Sequence, residues 1–242
     1  MTVTALKTGN DAIRDTRRNV LAATALLLAA ATFVVAEAVT AAAWDHPAYS
    51  YANDFVSDLG VPGPPTVFKG HVVHSPLALL LNTAFIVNGA LVVIAAALLL
   101  RPRGQGRLAR WQFRLVIGYG LGLFIASQFH EVPNWMLPWH ALGATLIIGG
   151  GNIAVFLTGR LGGRLRLPSW LARVFTGLGA VGFAFFLIVQ ILVVVDSAVL
   201  PHNIGTLERV AAYPLLFAQL AAGVGLLVEA TQLRRRNLAL AR

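Results

Sequence analysis

The chain has 242 residues, 57% of them apolar and only 12% charged, and it carries a formal charge of +9 with no cysteine. A charged fraction about half that of an ordinary soluble domain cannot cover a globule with polar groups, so a water-soluble fold is excluded. The lack of cysteine removes disulfides, thiolate metal sites and thiol nucleophiles. The positive charge does not mark a nucleic-acid binder, because it lies in short gaps between apolar runs rather than on one polar face.

In chain order, residues 1–18 read as a basic cytoplasmic segment, and spans fall near 19–43, 76–100, 114–130, 138–158, 173–197 and 210–232, followed by a basic tail at 233–242. At 1.5 Å per helical residue, about 20 apolar residues cross roughly 30 Å of hydrocarbon. The first run, with Arg17-Arg18 ahead of it and Ala41-Ala42-Ala43 at its end, exceeds the roughly 7 to 15 apolar residues of a cleaved signal and reads as a retained span. Residues 44–75 hold Pro47, Gly60, Pro62, Gly63, Pro64, Pro65 and Gly70, which predict an irregular, turn-rich outer loop. Of the 19 Lys and Arg, all but Lys69 and Arg209 precede the first span, lie between the second and third or the fourth and fifth, or follow the sixth. Short basic loops stay cytoplasmic. The expected fold is therefore all-α: a multi-pass bundle of six transmembrane helices over 19–232, with both termini cytoplasmic.

Gly177, Gly179 and Gly182 spell G-x-G-x-x-G, but a dinucleotide site needs a preceding strand. Inside an apolar span they read as small residues that let helices approach. No P-loop is present, so a nucleotide-driven pump is not expected. Polar residues within spans are Glu37, Asn82, Asn88, Gln128, Asn152, Gln190, Gln219 and Glu229. Amides in lipid are commonly interhelical hydrogen-bond partners worth about 1 kcal/mol, whereas Glu37, an ionisable group in a span, is a functional candidate by default.

All six histidines, His46, His71, His74, His130, His140 and His202, fall at the outer side, with Asp45, Asp54, Asp58, Glu131, Asp196 and Glu208. Spacing places His71, Ser75 and Asn82 on one stripe of the second helix, if that helix begins by His71, and Glu208, Ala212 and Gln219 on one stripe of the sixth, beside Arg209 and Tyr213. Facing polar stripes would line a cavity open to the outside; simple helix-to-helix bonding would give the same pattern. The candidate ligand-binding residues are Asp58, His71, His74, Glu131, His140, Asn152, Glu208, Arg209 and Tyr213. Arg209 calls for a carboxylate from another element, and Asp58 is the expected partner.

Two functions fit. One is a protein that binds or moves a lipid or other amphipathic ligand, with membrane lipids as partners and no cofactor. The other is a metal-dependent hydrolase at the outer leaflet, holding a divalent ion on His74, His140 and Asp58, since a zinc site without cysteine must use imidazole and carboxylate.

Four separated stretches carry a family resemblance: Asn53-Asp54-Phe55-Val56-Ser57-Asp58-Leu59-Gly60, Trp139-His140-Ala141-Leu142-Gly143-Ala144, Gly150-Gly151-Asn152, and Glu208-Arg209-Val210-Ala211-Ala212-Tyr213-Pro214. Together they resemble the bacterial family called domain of unknown function 998. The resemblance implies a six-helix bundle in the bacterial plasma membrane and no established reaction. Ser57-Asp58-Leu59-Gly60 is also similar to the first outer loop of the eukaryotic Frag1, DRAM and Sfk1 proteins, which are associated with lipid handling and autophagy.

Overall fold

A computed structural model describes residues 3–44, 47–99, 106–163, 165, 167–195 and 202–240. Asp45, His46 and Asp196, and of the arginines Arg101, Arg103, Arg164, Arg166 and Arg242, lie outside the described residues. Six helices follow the apolar runs: α1 Val3–Ala43, α2 Ala78–Leu99, α3 Gly106–Gln128, α4 Leu137–Arg160, α5 Ser169–Val195 and α6 Ile204–Leu240. Five of them are long and apolar enough to cross a membrane, namely α1 over Asp15–Ala43, α2, α4, α5 over Ser169–Val194 and α6 over Ile204–Arg235. The helix left out is α3, whose first turns carry Arg107, Arg110 and Arg114, so that its unbroken apolar part begins only at Leu115.

The distribution of side chains is inverted relative to a water-soluble domain. Leu79 is 80% and Val194 76% exposed, while Asn88 and Asn152 are fully buried. In water such a surface would aggregate, but in a bilayer it is solvated, and the chain is a membrane-embedded helical protein. The helices close a ring in chain order, each packing on the next and α6 on α1. Small residues set the spacing where α3 meets α4: a Cβ on Gly122 would lie 2.8 Å from the Gly143 carbonyl oxygen.

Buried amides tie the ring together. Asn88 Nδ2 donates to Ala29 O (2.8 Å) and Gln219 Oε1 (3.1 Å), Tyr119 OH donates to Asn88 Oδ1 (2.7 Å), and Gln219 Nε2 donates to Tyr119 OH (3.1 Å). One network thus joins α1, α2, α3 and α6. In α4 the helix widens to a π turn over Thr145–Gly150. Just beyond that turn, Asn152 donates to Ile148 O (2.7 Å) and to Ala211 O of α6 (2.8 Å). Pro214, inside α6, has no N–H to give to the Val210 carbonyl one turn back, and Asn152 bonds the next carbonyl, that of Ala211.

The stretch before α2 departs from the expected helix. Thr66–Phe68 (β1) pairs antiparallel with His71–Val73 (β2), and the two residues between them, Lys69 and Gly70, have φ of 45° and 84°, as a two-residue hairpin turn of the I′ type requires. Helix α2 begins only at Ala78. Pro76 explains the late start, because it lacks a backbone donor and disfavours a helical residue before it. His71, Ser75 and Asn82 therefore do not form a helical stripe.

Candidate functional site

The loop between α1 and α2 folds over the end of the bundle formed by the starts of α2, α4 and α6. Apolar anchors fix it there: Phe55, Val56, Leu59, Val61, Phe68 and Val73 are buried in one cluster with Trp44 of the α1 end and Ile204 of α6. Beneath these anchors lie two polar centres.

Arg209 of α6 organises the first. Its Nε and Nη2 each lie 3.1 Å from Glu37 Oε1 of α1, and Tyr213 OH donates to both Glu37 oxygens at 3.0 and 3.1 Å. Nη1 donates to the carbonyls of Tyr51 (2.7 Å), Asp54 (3.1 Å) and Gly205 (3.1 Å), while Nη2 also donates to Tyr49 OH. The guanidinium lies 4.7 Å from the Tyr51 ring and 5.6 Å from that of Tyr49, within the range of a cation–π attraction. Burial pushes the Tyr49 phenol well above its ordinary pKa despite the nearby Arg209 charge. The expectation that Arg209 meets a carboxylate from another element holds, but the partner is Glu37 and not Asp58. One turn of α6 presents Arg209 and Tyr213 together to α1, where Glu37 waits.

The second centre gathers carboxyls. The backbone N–H of Phe55 donates to Asp58 Oδ2 (2.8 Å), and that of the next residue, Val56, donates to Glu208 Oε2 (2.6 Å). Two carboxyls from distant parts of the chain therefore divide two successive amides. Glu131, in the turn between α3 and α4, lies 3.0 Å from His140 Nε2, and His140 Nδ1 faces Phe129 O at 3.0 Å. Both ring nitrogens thus face acceptors, the arrangement of an imidazolium. The contact with Glu131 is a close, buried ion pair. Burial pushes the Asp58 carboxyl well above its ordinary range, and the Glu131 charge adds to the effect. Burial is the largest influence on Glu131 and would raise it, but the His140 charge and hydrogen bonds from His140, Ser57 and the Glu131 backbone together outweigh it and hold that carboxyl at about 2. Beside them, Asn82 Nδ2 donates to Gly60 O (2.9 Å) and faces His130 Nε2 at 3.2 Å, which leaves that nitrogen the acceptor; burial lowers the His130 pKa.

A cavity of about 60 Å³ opens below. Ser57, His140, Glu208 and Tyr213 give it polar walls, and the remainder is apolar apart from Tyr119, whose hydroxyl is engaged by Asn88 and Gln219, and includes Phe33, Phe85, Leu123, Ile147 and Leu216. The polar walls come from the loop, α4 and α6, and the apolar ones from all helices but α5.

The family described as a protein of unknown function, DUF998, matches residues 27–225 of this sequence. The chain belongs to the DUF998 family. No curated protein and no solved structure matches it. The part of this DUF998 chain that matches contains both polar centres and every wall of the cavity.

Of the residues singled out from the sequence, Asp58, Glu131, His140 and Glu208 meet in the second centre and Arg209 and Tyr213 in the first. The others lie elsewhere. His71 pairs with Asp54 at 3.1 Å below the hairpin, His74 Nδ1 bonds the Gly63 carbonyl, and Asn152 braces α4 against α6. Among the described residues no three His, Asp or Glu side chains converge as a metal-ligand set, so the structure does not bring His74, His140 and Asp58 together. The sequence reading missed Tyr49, Tyr51 and Ser57. No local signal marked the tyrosines, which lie about 160 residues before Arg209 in the sequence.

Proposed function

We propose that this DUF998 protein spans the plasma membrane six times with both termini in the cytoplasm, and that it holds or moves a lipid or other amphipathic ligand by one end in the cavity under its outer loop. The observation that carries the reading is the cavity's division into a polar part at Ser57, His140, Glu208 and Tyr213 and an apolar part within the bundle. Sites of this kind place a few polar groups in an otherwise apolar pocket. Its volume exceeds the roughly 10–15 Å³ that holds one water but is under half the roughly 150 Å³ of an apolar cavity that takes benzene, so it suits a head group and its first carbons rather than a whole chain. The outer part of α4, Leu137–Ala144, leans chiefly on α3, which leaves a lateral route by which the rest of the ligand remains in lipid. As the third crossing, α3 sits between α2 and α4 in the ring, with Arg107, Arg110 and Arg114 reaching the inner interface.

Native mass spectrometry of protein released from vesicles tests the reading. The wild type should keep a bound amphiphile as a mass adduct. Ala212→Trp, which fills the cavity from its α6 wall, should lose it while still folding. Identical adducts on both proteins would overturn the proposal.

A further inference from the structure

We infer that the head of the ligand is a cation, a protonated amine, with Glu208 as its counterion; the inference rests on the amphiphile reading above. It comes from accounting for charge at the loop end. Arg209 is matched to Glu37 and His140 to Glu131. That leaves Asp58, 1% exposed, and Glu208, 9% exposed, and among the described residues neither has a basic side chain within 4 Å.

A buried carboxylate needs a cation, a proton or several donors. Each of these two receives one backbone N–H, from Phe55 and from Val56, although an ionised carboxylate has about four acceptor positions. Among the described residues Asp58 Oδ1 has no hydrogen-bond partner. This centre is therefore rich in acceptors and short of donors, and Glu208 carries it onto the wall of the cavity. An ammonium group supplies what is missing, with one positive charge and up to three N–H donors.

The other head groups fit worse. A carboxylate or phosphate would meet Glu208 with Asp58 and Glu131 behind it, and the cations nearby are already engaged, His140 by Glu131 and Arg209 by Glu37, Tyr49 and three carbonyls. A divalent metal needs more ligands than converge here. An ammonium needs one carboxylate and neutral acceptors, which the hydroxyl oxygens of Ser57 and Tyr213 provide on the same walls.

The test uses protein in phosphatidylcholine nanodiscs and three diazirine-bearing probes with the same twelve-carbon chain, an amine, an alcohol and a carboxylic acid. Labelling of the cavity-lining peptides is normalised to labelling of lipid-facing α5. The amine should label at least tenfold more than the alcohol or the acid. Glu208→Gln, which keeps an acceptor for the Val56 N–H, should bring the amine down to the alcohol's level and leave alcohol labelling unchanged, which also reports that the variant is folded. Asp58→Asn should give a smaller loss of the same kind. Cavity labelling by the alcohol or the acid equal to that by the amine in the wild type, or an amine preference that survives Glu208→Gln, would overturn the cation assignment and leave the amphiphile reading standing. Cavity labelling by none of the three would overturn both.

Discussion

Replacing Arg209 with methionine keeps much of the side chain's length and removes its charge. Glu37, whose side chain is 5% exposed, would be left as a buried carboxylate with only Tyr213 OH to solvate it. The carbonyls of Tyr51, Asp54 and Gly205 would each lose a donor. Breaking a buried pair from one side costs about 3–5 kcal/mol. At about 2–4 °C per kcal/mol for a chain of this size, the melting temperature should fall on the order of 10 °C, read by tryptophan fluorescence in detergent. The distinguishing experiment is the double-mutant cycle with Glu37→Gln. A neutral amide no longer needs the cation, so the two substitutions together should cost about 2 kcal/mol less than the sum of their separate costs. Additivity within about 0.5 kcal/mol would show that the pair is not coupled and that Arg209 acts only through the loop carbonyls.

Three further outcomes follow from the same geometry. Gly179→Ala should destabilise the protein, because its Cβ would lie 2.4 Å from the Phe156 backbone nitrogen and force α4 from α5, whereas Gly177→Ala, with nothing within 4 Å, should be neutral or gain up to about 1 kcal/mol of helix propensity; equal melting temperatures would show that α4 and α5 are not closely packed. The pKa of Asp58 is raised from 3.8, so its contribution to stability is full below that value and is lost as pH rises. That of Glu131 is lowered from 4.5 to about 2, so its contribution is full above 4.5 and is lost as pH falls toward about 2. Asp58→Asn should therefore gain stability on the wild type as pH rises above about 4, and Glu131→Gln should cost most at neutral pH and less below about pH 4; offsets that do not change with pH would contradict both assignments. Finally, in this cysteine-free chain, a cysteine at exposed Thr66 should react with an impermeant maleimide in intact cells and one at open Gly163 should not, and the reverse pattern would invert the proposed topology.

The helices were legible because their signal is local. Long apolar runs broken by arginine placed α2, α4 and α5 within a few residues of their observed ends, and α3 was located although it is not among the five helices long and apolar enough to cross a membrane. The hairpin was missed for a local reason too. The reading of 44–75 as an irregular loop, with a helical stripe conditional on α2 beginning by His71, left out of account Val67, Phe68, Val72 and Val73 flanking Lys69-Gly70, which suit two paired strands about a tight turn. Pairing within the site is a different kind of information. Sequence marked Glu37 as an ionisable group in a span and Arg209 as an outer cation in need of a carboxylate, yet nothing local says that α6 closes the ring against α1, and Asp58 was the nearer guess. The division of the Phe55 and Val56 amides between Asp58 and Glu208 depends on a loop folding over a helix that begins about 150 residues later, which no spacing rule encodes.

The central claim, a ligand cavity under the outer loop, is tested most directly by mapping where a photoreactive amphiphile attaches when the protein is irradiated in a bilayer. The account predicts adducts on the cavity walls, at Ala144–Ile148 of α4 and Ala212–Leu216 of α6, that disappear in Ala212→Trp. Adducts confined to the outward faces, at residues such as Leu121, Phe124 and Val181, and unchanged by Ala212→Trp, would contradict it.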